Sequence, residues 1–144
     1  MYKILQINVV GNWGSTGRIA NDIGDMCISN GWESYIATGR KIRESKSEII
    51  KIGNNLDLGL HKLKSVVFDR HGFGSTNATL RFIEQIKIIK PDIIHLHNLH
   101  GYYINIDVLF RYLSESKRPV VWTLHDCWAF TGHCTYFDKV ACDK

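Results

Sequence analysis

Histidine, asparagine and aspartate gather at two places in this chain: HLHNLH, which holds His97, Asn98 and His100, and LHD, which holds His125 and Asp126. Each group ends an apolar, strand-like run, IIHLH from Ile93 and VVWTLHD from Val120. An imidazole can bond a ligand hydroxyl or move a proton near neutral pH, and a carboxylate can orient it or accept a hydroxyl itself. His125 is therefore the first candidate for chemistry. In an open parallel sheet, ligands bind in the crevice beyond the carboxyl ends of the strands, where these residues break out. Tyr102 and Tyr103 follow His100, and their rings could hold a polyhydroxylated ligand, although a tyrosine pair more often packs. His95 and His97 are expected on opposite sides of their strand, which argues against a metal shared between them. One of the two is expected to be a hydrogen-bonded core residue.

A second group with chemical potential is GNWGSTGR, where Gly11, Gly14 and Gly17 stand between a strand and a helix pattern. A helix start offers unpaired N–H groups and the positive end of the dipole, which suits a phosphate. Gly14, Ser15, Thr16, Gly17 and Arg18 are its candidate phosphate-proximal residues. The spacing G-x-x-G-x-x-G departs from the dinucleotide fingerprint G-x-G-x-x-G. Where a nicotinamide site would want an acidic residue, the chain has Thr38, Gly39 and Arg40. Arg40 keeps an NADP-type Rossmann reductase open as an alternative. A tight turn with no ligand is the plain alternative for the loop.

The elements that must position these residues alternate between strand and helix. Lys3 to Val10 reads as a central strand covered on both faces. A helix follows, with Ile19, Ala20, Ile23, Met26 and Cys27 on one face, and Gly31 ends it. Glu33 to Thr38 and Glu48 to Ile52 are the next strands, separated by the surface loop GRKIRESKSE. Leu56 to Phe68 has helical spacing interrupted by Gly59. Asn77 is placed as the cap of a helix with the stripe Leu80, Phe82, Ile83, Ile86 and Ile89, and Pro91 stops it. Strands Ile93 to His97 and Val120 to Leu124 flank a helix from Ile106 to Leu113. This order predicts an α/β, Rossmann-like, doubly wound parallel sheet, because parallel neighbours need crossover connections.

Composition narrows the function classes. The chain has 144 residues, 44% of them hydrophobic and 22% charged, as expected for one soluble globular domain spanning residues 1–144. No apolar run approaches the roughly 20 residues of a membrane span, and the N-terminus lacks the apolar core of a signal peptide. A cytoplasmic location is expected, with peripheral contact at the inner face of the membrane left open. The net charge of +4 is too small and dispersed to argue for nucleic acid, though it favours an anionic ligand or surface.

Taken together, KILQIN, GSTGR, FDRHGFGS, PDIIHLHNLHGYYIN and VVWTLHDCWAFTGHC resemble the N-terminal half of bacterial family-four glycosyltransferases, which have the GT-B architecture. The resemblance covers nearly the whole chain. It implies two Rossmann-like domains facing a cleft, an N-terminal one chiefly for a glycan or lipid-linked acceptor and a C-terminal one for a nucleotide-sugar donor. Transfer would proceed with retention, without a cofactor or bound metal. Gly14 and Gly17 would approach the donor diphosphate, His125 would touch the transferred sugar, and His97, Asn98 and Tyr102 would shape the acceptor side. The C-terminal donor domain, with the family's paired glutamates, has no counterpart here, so the chain alone is expected to be inactive. A non-catalytic sugar- or nucleotide-binding module is the remaining alternative. Cys127, His133, Cys134 and Cys142 lie within 16 residues and could form a zinc site with residues beyond Lys144. The spacing matches no standard finger, and reduced thiols are the favoured reading.

Overall fold

The computed structural model describes residues 1–68, 72–132 and 134–136. Strands β1 (Lys3–Asn8), β2 (Glu33–Thr38), β3 (Glu48–Lys51), β4 (Ile93–Leu96) and β5 (Val120–Trp122) form one sheet. All four pairings are parallel, in the order β3-β2-β1-β4-β5. The helices are α1 (Gly14–Ser29), α2 (Asn55–Phe68), α3 (Thr76–Ile89), α4 (Ile106–Ser116) and the short α5 (Trp128–Thr131). This is the Rossmann-like α/β arrangement expected; β2 has its expected bounds, and the other four strands end one or two residues before their apolar runs do. His97 and His125 thus lie just past β4 and β5.

The two faces of the sheet are built differently. One carries Leu5, Ile7, Ala37, Ile50, Ile94 and Leu96, packed with Phe82 and Ile86 of α3 and Leu109 and Leu113 of α4. Burying such aliphatic and aromatic side chains contributes on the order of 1.5–3 kcal/mol each. The other face carries Gln6, whose Nε2 donates to Ala20 O of α1 at 2.7 Å. Here α1 buries Gly17, Ala20 and Gly24, while Ile19 and Met26 are 41% and 61% exposed. The expected apolar face of this helix is thus corrected. A Cβ at Gly24 would lie 2.3 Å from Ser47 Oγ and 2.9 Å from Ser34 Oγ, so only the small residues fit against this polar patch.

Two further local expectations change. Asn77 lies inside α3, and Ser75 takes the N-cap position without a capping side-chain bond. Its hydroxyl is engaged instead by His61 Nδ1 at 3.0 Å and by Tyr102 O at 3.3 Å. Leu80 of the expected stripe is 49% exposed, while Phe82, Ile83 and Ile86 are buried. Pro91 follows the end of α3, as the missing N–H of proline requires. Asn105 caps α4 by accepting from Val108 N at 3.1 Å.

The segment 39–47 connects parallel neighbours β2 and β3 without a helix. It runs beside α1: Ser45 Oγ donates to Asn21 Oδ1 at 2.7 Å, and Asn12 Nδ2 donates to Glu44 O. The segment thus takes the place of a crossover helix, more than the plain surface loop expected. It starts at a tight contact, because a Cβ on Gly39 would lie 2.0 Å from Cβ of Tyr103, which is 1% exposed. Neither atom is the end of a flexible side chain. Gly39→Ala should therefore destabilise the fold by about 3 kcal/mol, at the upper end of overpacking penalties. Urea unfolding checks this, and an unchanged midpoint would contradict the contact.

Candidate functional site

β1 and β4 are neighbours at the point where the chain order of the sheet reverses, and Asn8 ends β1 there. Its Oδ1 accepts from Asn98 N at 3.3 Å, and its Nδ2 donates to Val10 O at 2.9 Å and Thr16 Oγ1 at 3.4 Å. Asn8 is fully buried and joins the glycine loop to the histidine loop. The sequence reading passed over it, although a polar residue closing an apolar strand at a switch point is a usable signal.

The histidines form a connected row on one face. His95 and His97 are two residues apart, and the side-chain period of a strand is two, so both point the same way. Their ring centroids are 4.1 Å apart. The expectation of opposite sides is therefore wrong, and both are buried core residues with partners. His95 Nε2 pairs with Thr123 Oγ1 at 2.8 Å. His97 Nε2 lies 3.1 Å from Gln6 Oε1, and His97 Nδ1 lies 2.9 Å from His125 Nε2.

Proton positions follow from partner chemistry. Because Gln6 Nε2 is committed to a carbonyl, its Oε1 is the atom facing His97, and it can only accept. His97 Nε2 therefore donates. Burial, with the nearby imidazoles of His95 and His125, lowers the His97 pKa to about 3, so the ring is neutral and its Nδ1 is bare. His125 Nε2–H must then donate to it. When His125 is itself neutral, its lone pair sits on Nδ1.

The remaining residues form a second pair. His100 Nε2 and Asp126 Oδ2 are 2.8 Å apart, and Asp126 Oδ1 accepts from Trp128 N at 3.0 Å. A cavity of about 10 Å³ lies among His97, Asn98, His100, His125, Asp126 and Trp128. That is room for about one water, so any larger ligand would have to approach the cluster from its open side. Tyr103 is core, with its hydroxyl donating to Asn98 O at 2.8 Å. Tyr102 has φ of 66° and packs edge-on to His61 at 5.7 Å, beside α2. It does not line the histidine cavity.

The glycine loop holds the other candidates. Gly14 has φ of 65°, a left-handed value that favours glycine, and starts α1 with Ser15 exposed beside it. Gly17 is buried, and Arg18 Nε donates to Gly14 O at 3.1 Å. Thr16 is bonded to Asn8. A cavity of about 320 Å³ is lined by Asn12, Trp13, Gly14, Arg18 and Arg43. Lys41 Nζ and Arg43 Cζ sit 4.6 and 4.1 Å from the Trp13 ring centroid, within cation–π range. Sequence reasoning missed Trp13, Lys41 and Arg43. The signal was the run RKIR, placed beside the glycine loop only by the helix-free β2–β3 connection. Arg40 lies 5.8 Å from the Tyr102 ring instead.

No family model and no solved structure matches the chain. A curated protein of Escherichia coli K12 does. The "Putative colanic acid biosynthesis glycosyl transferase WcaC" is 29% identical over 159 residues, which cover 99% of this chain and 39% of that protein. The chain is thus similar, end to end, to a glycosyl transferase, and it spans about two fifths of that relative's length. His133 and Cys142 lie outside the described residues, as do Asp69, Arg70 and His71 of the FDRHGFGS motif. Among the described residues, no group of three His, Cys, Asp or Glu side chains could hold a metal ion. Also among them, no helix is long and apolar enough to cross a membrane.

Burial lowers the pKa values of His95 and His97, so the folded chain resists protons that the unfolded chain takes up below about 6.5. The unfolded state then binds more protons, and stability rises with pH between about 3 and 6.5. The urea midpoint should fall as pH is lowered from 7 to about 4, and His97→Asn should flatten that slope. In nitrogen-detected NMR, His97 should keep its Nε2–H tautomer down to about pH 5; a titration midpoint above about 6 would contradict the assignment.

Proposed function

We propose that the chain is the N-terminal, acceptor-side domain of a GT-B, family-four glycosyltransferase of hexosyl type. It would move a sugar with retention from a nucleotide-sugar to a glycan or lipid-linked acceptor in surface polysaccharide synthesis, at the cytoplasmic side. The observation that carries this reading is the similarity to the E. coli protein, whose name gives a colanic acid biosynthesis glycosyl transferase and which aligns with 99% of the chain. A C-terminal domain would hold the donor, closing a cleft over the carboxyl ends of β1, β4 and β5.

The chemistry suits the residues on that edge. Departure of a nucleoside diphosphate develops negative charge, and donors held in place for that charge stabilise the transition state. The start of α1 at Gly14, with Arg18 and Arg43 around its cavity, presents N–H groups and cations together. A phosphate oxygen of the donor would take the acceptor proton on the same face, so no side-chain nucleophile is required. His125, held by His97, would touch the transferred sugar, with Asn98, His100 and Asp126 toward the acceptor; Tyr102, packed on His61, stands apart from them.

Catalysis in a two-domain cleft depends on holding both substrates in reacting geometry, which supplies roughly 7–11 kcal/mol of barrier lowering. Residues 1–144 alone should therefore release no nucleotide from a panel of UDP- and GDP-sugars with candidate acceptors. A version extended to the length of the E. coli relative should release it. His125→Ala in that version should lower turnover at least about tenfold in a protein that still folds, with the melting temperature lower by a few degrees because His97 Nδ1 loses its donor. Sustained release by the short chain, or wild-type turnover in the variant, would overturn the division of labour.

A further inference from the structure

Gln6 lies at the centre of β1 with no exposed surface, a place where an aliphatic side chain would need no polar partner. Its Nε2 donates to Ala20 O, which lies inside α1 and already belongs to the hydrogen-bond ladder of that helix. The bond therefore serves the other end of the amide, holding Oε1 against His97 Nε2 at 3.1 Å. His97 lines the histidine cavity, yet both its nitrogens are engaged within the protein, by Gln6 and by His125. The pair can reach a ligand only through His125. There the situation differs: Nε2–H is used by His97, and among the described residues Nδ1 has no hydrogen-bond partner. Among them too, the only buried side-chain polar atom without a partner is Asp25 Oδ1, so His125 Nδ1 is open to solvent. The Asn98 side chain, on the same cavity, is unpaired in the same way.

We propose that Gln6 is a positioning residue: through His97 it holds His125 with a bare Nδ1 toward the ligand, so that this subsite takes a hydroxyl that donates. The polarity follows from one constraint. Reversing the His97–His125 bond would move the His97 proton to Nδ1 and set a bare Nε2 against Gln6 Oε1, lone pair against lone pair. With Gln6 in place, only one direction makes both bonds. Without an acceptor at position 6, either direction makes one bond, and His125 can carry its proton on Nδ1 instead. An imidazole turned that way donates, and it can meet a ligand group that has lone pairs and no proton to give. Asn98, whose amide both donates and accepts, carries no such restriction. Identifying the hydroxyl as one on the transferred sugar rests on the glycosyltransferase reading; the polarity of His125 does not.

Nitrogen-detected NMR of the 144-residue chain reads this polarity without a substrate. In the wild type, neutral His125 should be the Nε2–H tautomer in at least about nine molecules in ten, because the reverse leaves a buried bond unmade. Gln6→Met keeps the length of the side chain and removes the amide, and should raise the Nδ1–H form of His125 at least about threefold. Gln6→Leu serves as the second variant should methionine not be tolerated, and the wild-type spectrum decides the direction of the bond in either case. A packing role for Gln6 alone would lower stability and leave the tautomer as it is. In the version extended to the length of the E. coli relative, the UDP- or GDP-sugar turned over is compared with its monodeoxyfluoro analogues, whose fluorine accepts and cannot donate. At one hydroxyl position the wild type should lose at least about tenfold more kcat/KM than Gln6→Met does, a comparison in which the inductive effect of fluorine cancels. A wild-type His125 protonated on Nδ1, an unchanged tautomer in both variants, or equal losses at every position overturns the proposal. Failure of the extended version to turn over any nucleotide-sugar overturns the glycosyltransferase reading instead and leaves the NMR result standing.

Discussion

The hydrogen bond from Gln6 Nε2 to Ala20 O fixes more of this molecule than its size suggests. It commits the amide end of a buried side chain at the centre of the sheet, which turns Oε1 toward His97 and sets the proton positions from there to the His97–His125 bond. The bond exists because α1 lies close to β1. That approach depends on Gly24, where a side chain would collide with Ser34 and Ser47, and on Gly17, where one would crowd Val10. Leaving a buried amide or imidazole unpaired costs about 1–3 kcal/mol, so small residues on the helix and polar residues on the sheet require each other.

This divides the sheet by task. The face under α3 and α4 is apolar, holds the aromatic and aliphatic core, and supplies most of the stability. The face under α1 gives up that density in exchange for polar connections that run from the middle of β1 to the open edge of β4 and β5. Asn8 performs the same service one turn of the pleat further on, tying the backbone of the histidine loop to the glycine loop. Both candidate groups thereby rest on one rigid strand.

Much of this was legible in the sequence. The strand and helix order, Gly31 and Pro91 as helix ends, and the exit of His97, Asn98, His125 and Asp126 beyond β4 and β5 follow from apolar periodicity and turn residues. What was not legible lay in tertiary contact. The buried side of α1 is set by the polar patch beneath it, so the apolar residues Ile19 and Met26 misled. Ser75 takes the cap position because His61 and Tyr102, remote in sequence, hold its hydroxyl. Trp13 meets Lys41 and Arg43 only because segment 39–47 runs beside α1. The placement of His95 and His97 on opposite sides was an error of geometry, since a period of two already puts them together.

The sheet order also sets the cost of assembling the histidine row. Gln6 and His97 are 91 residues apart along the chain, whereas His97 and His125 are 28 apart. With closure entropy growing as (3/2)RT ln n, joining the first pair costs about 1 kcal/mol more than joining the second in an unstructured chain. β1, β2 and β3 pair over shorter separations, so their contacts are the inexpensive ones to form early. The imidazole row becomes orderly only when β4 slots in beside β1, so the tautomers of the site report completion of the slowest-closing seam in the sheet.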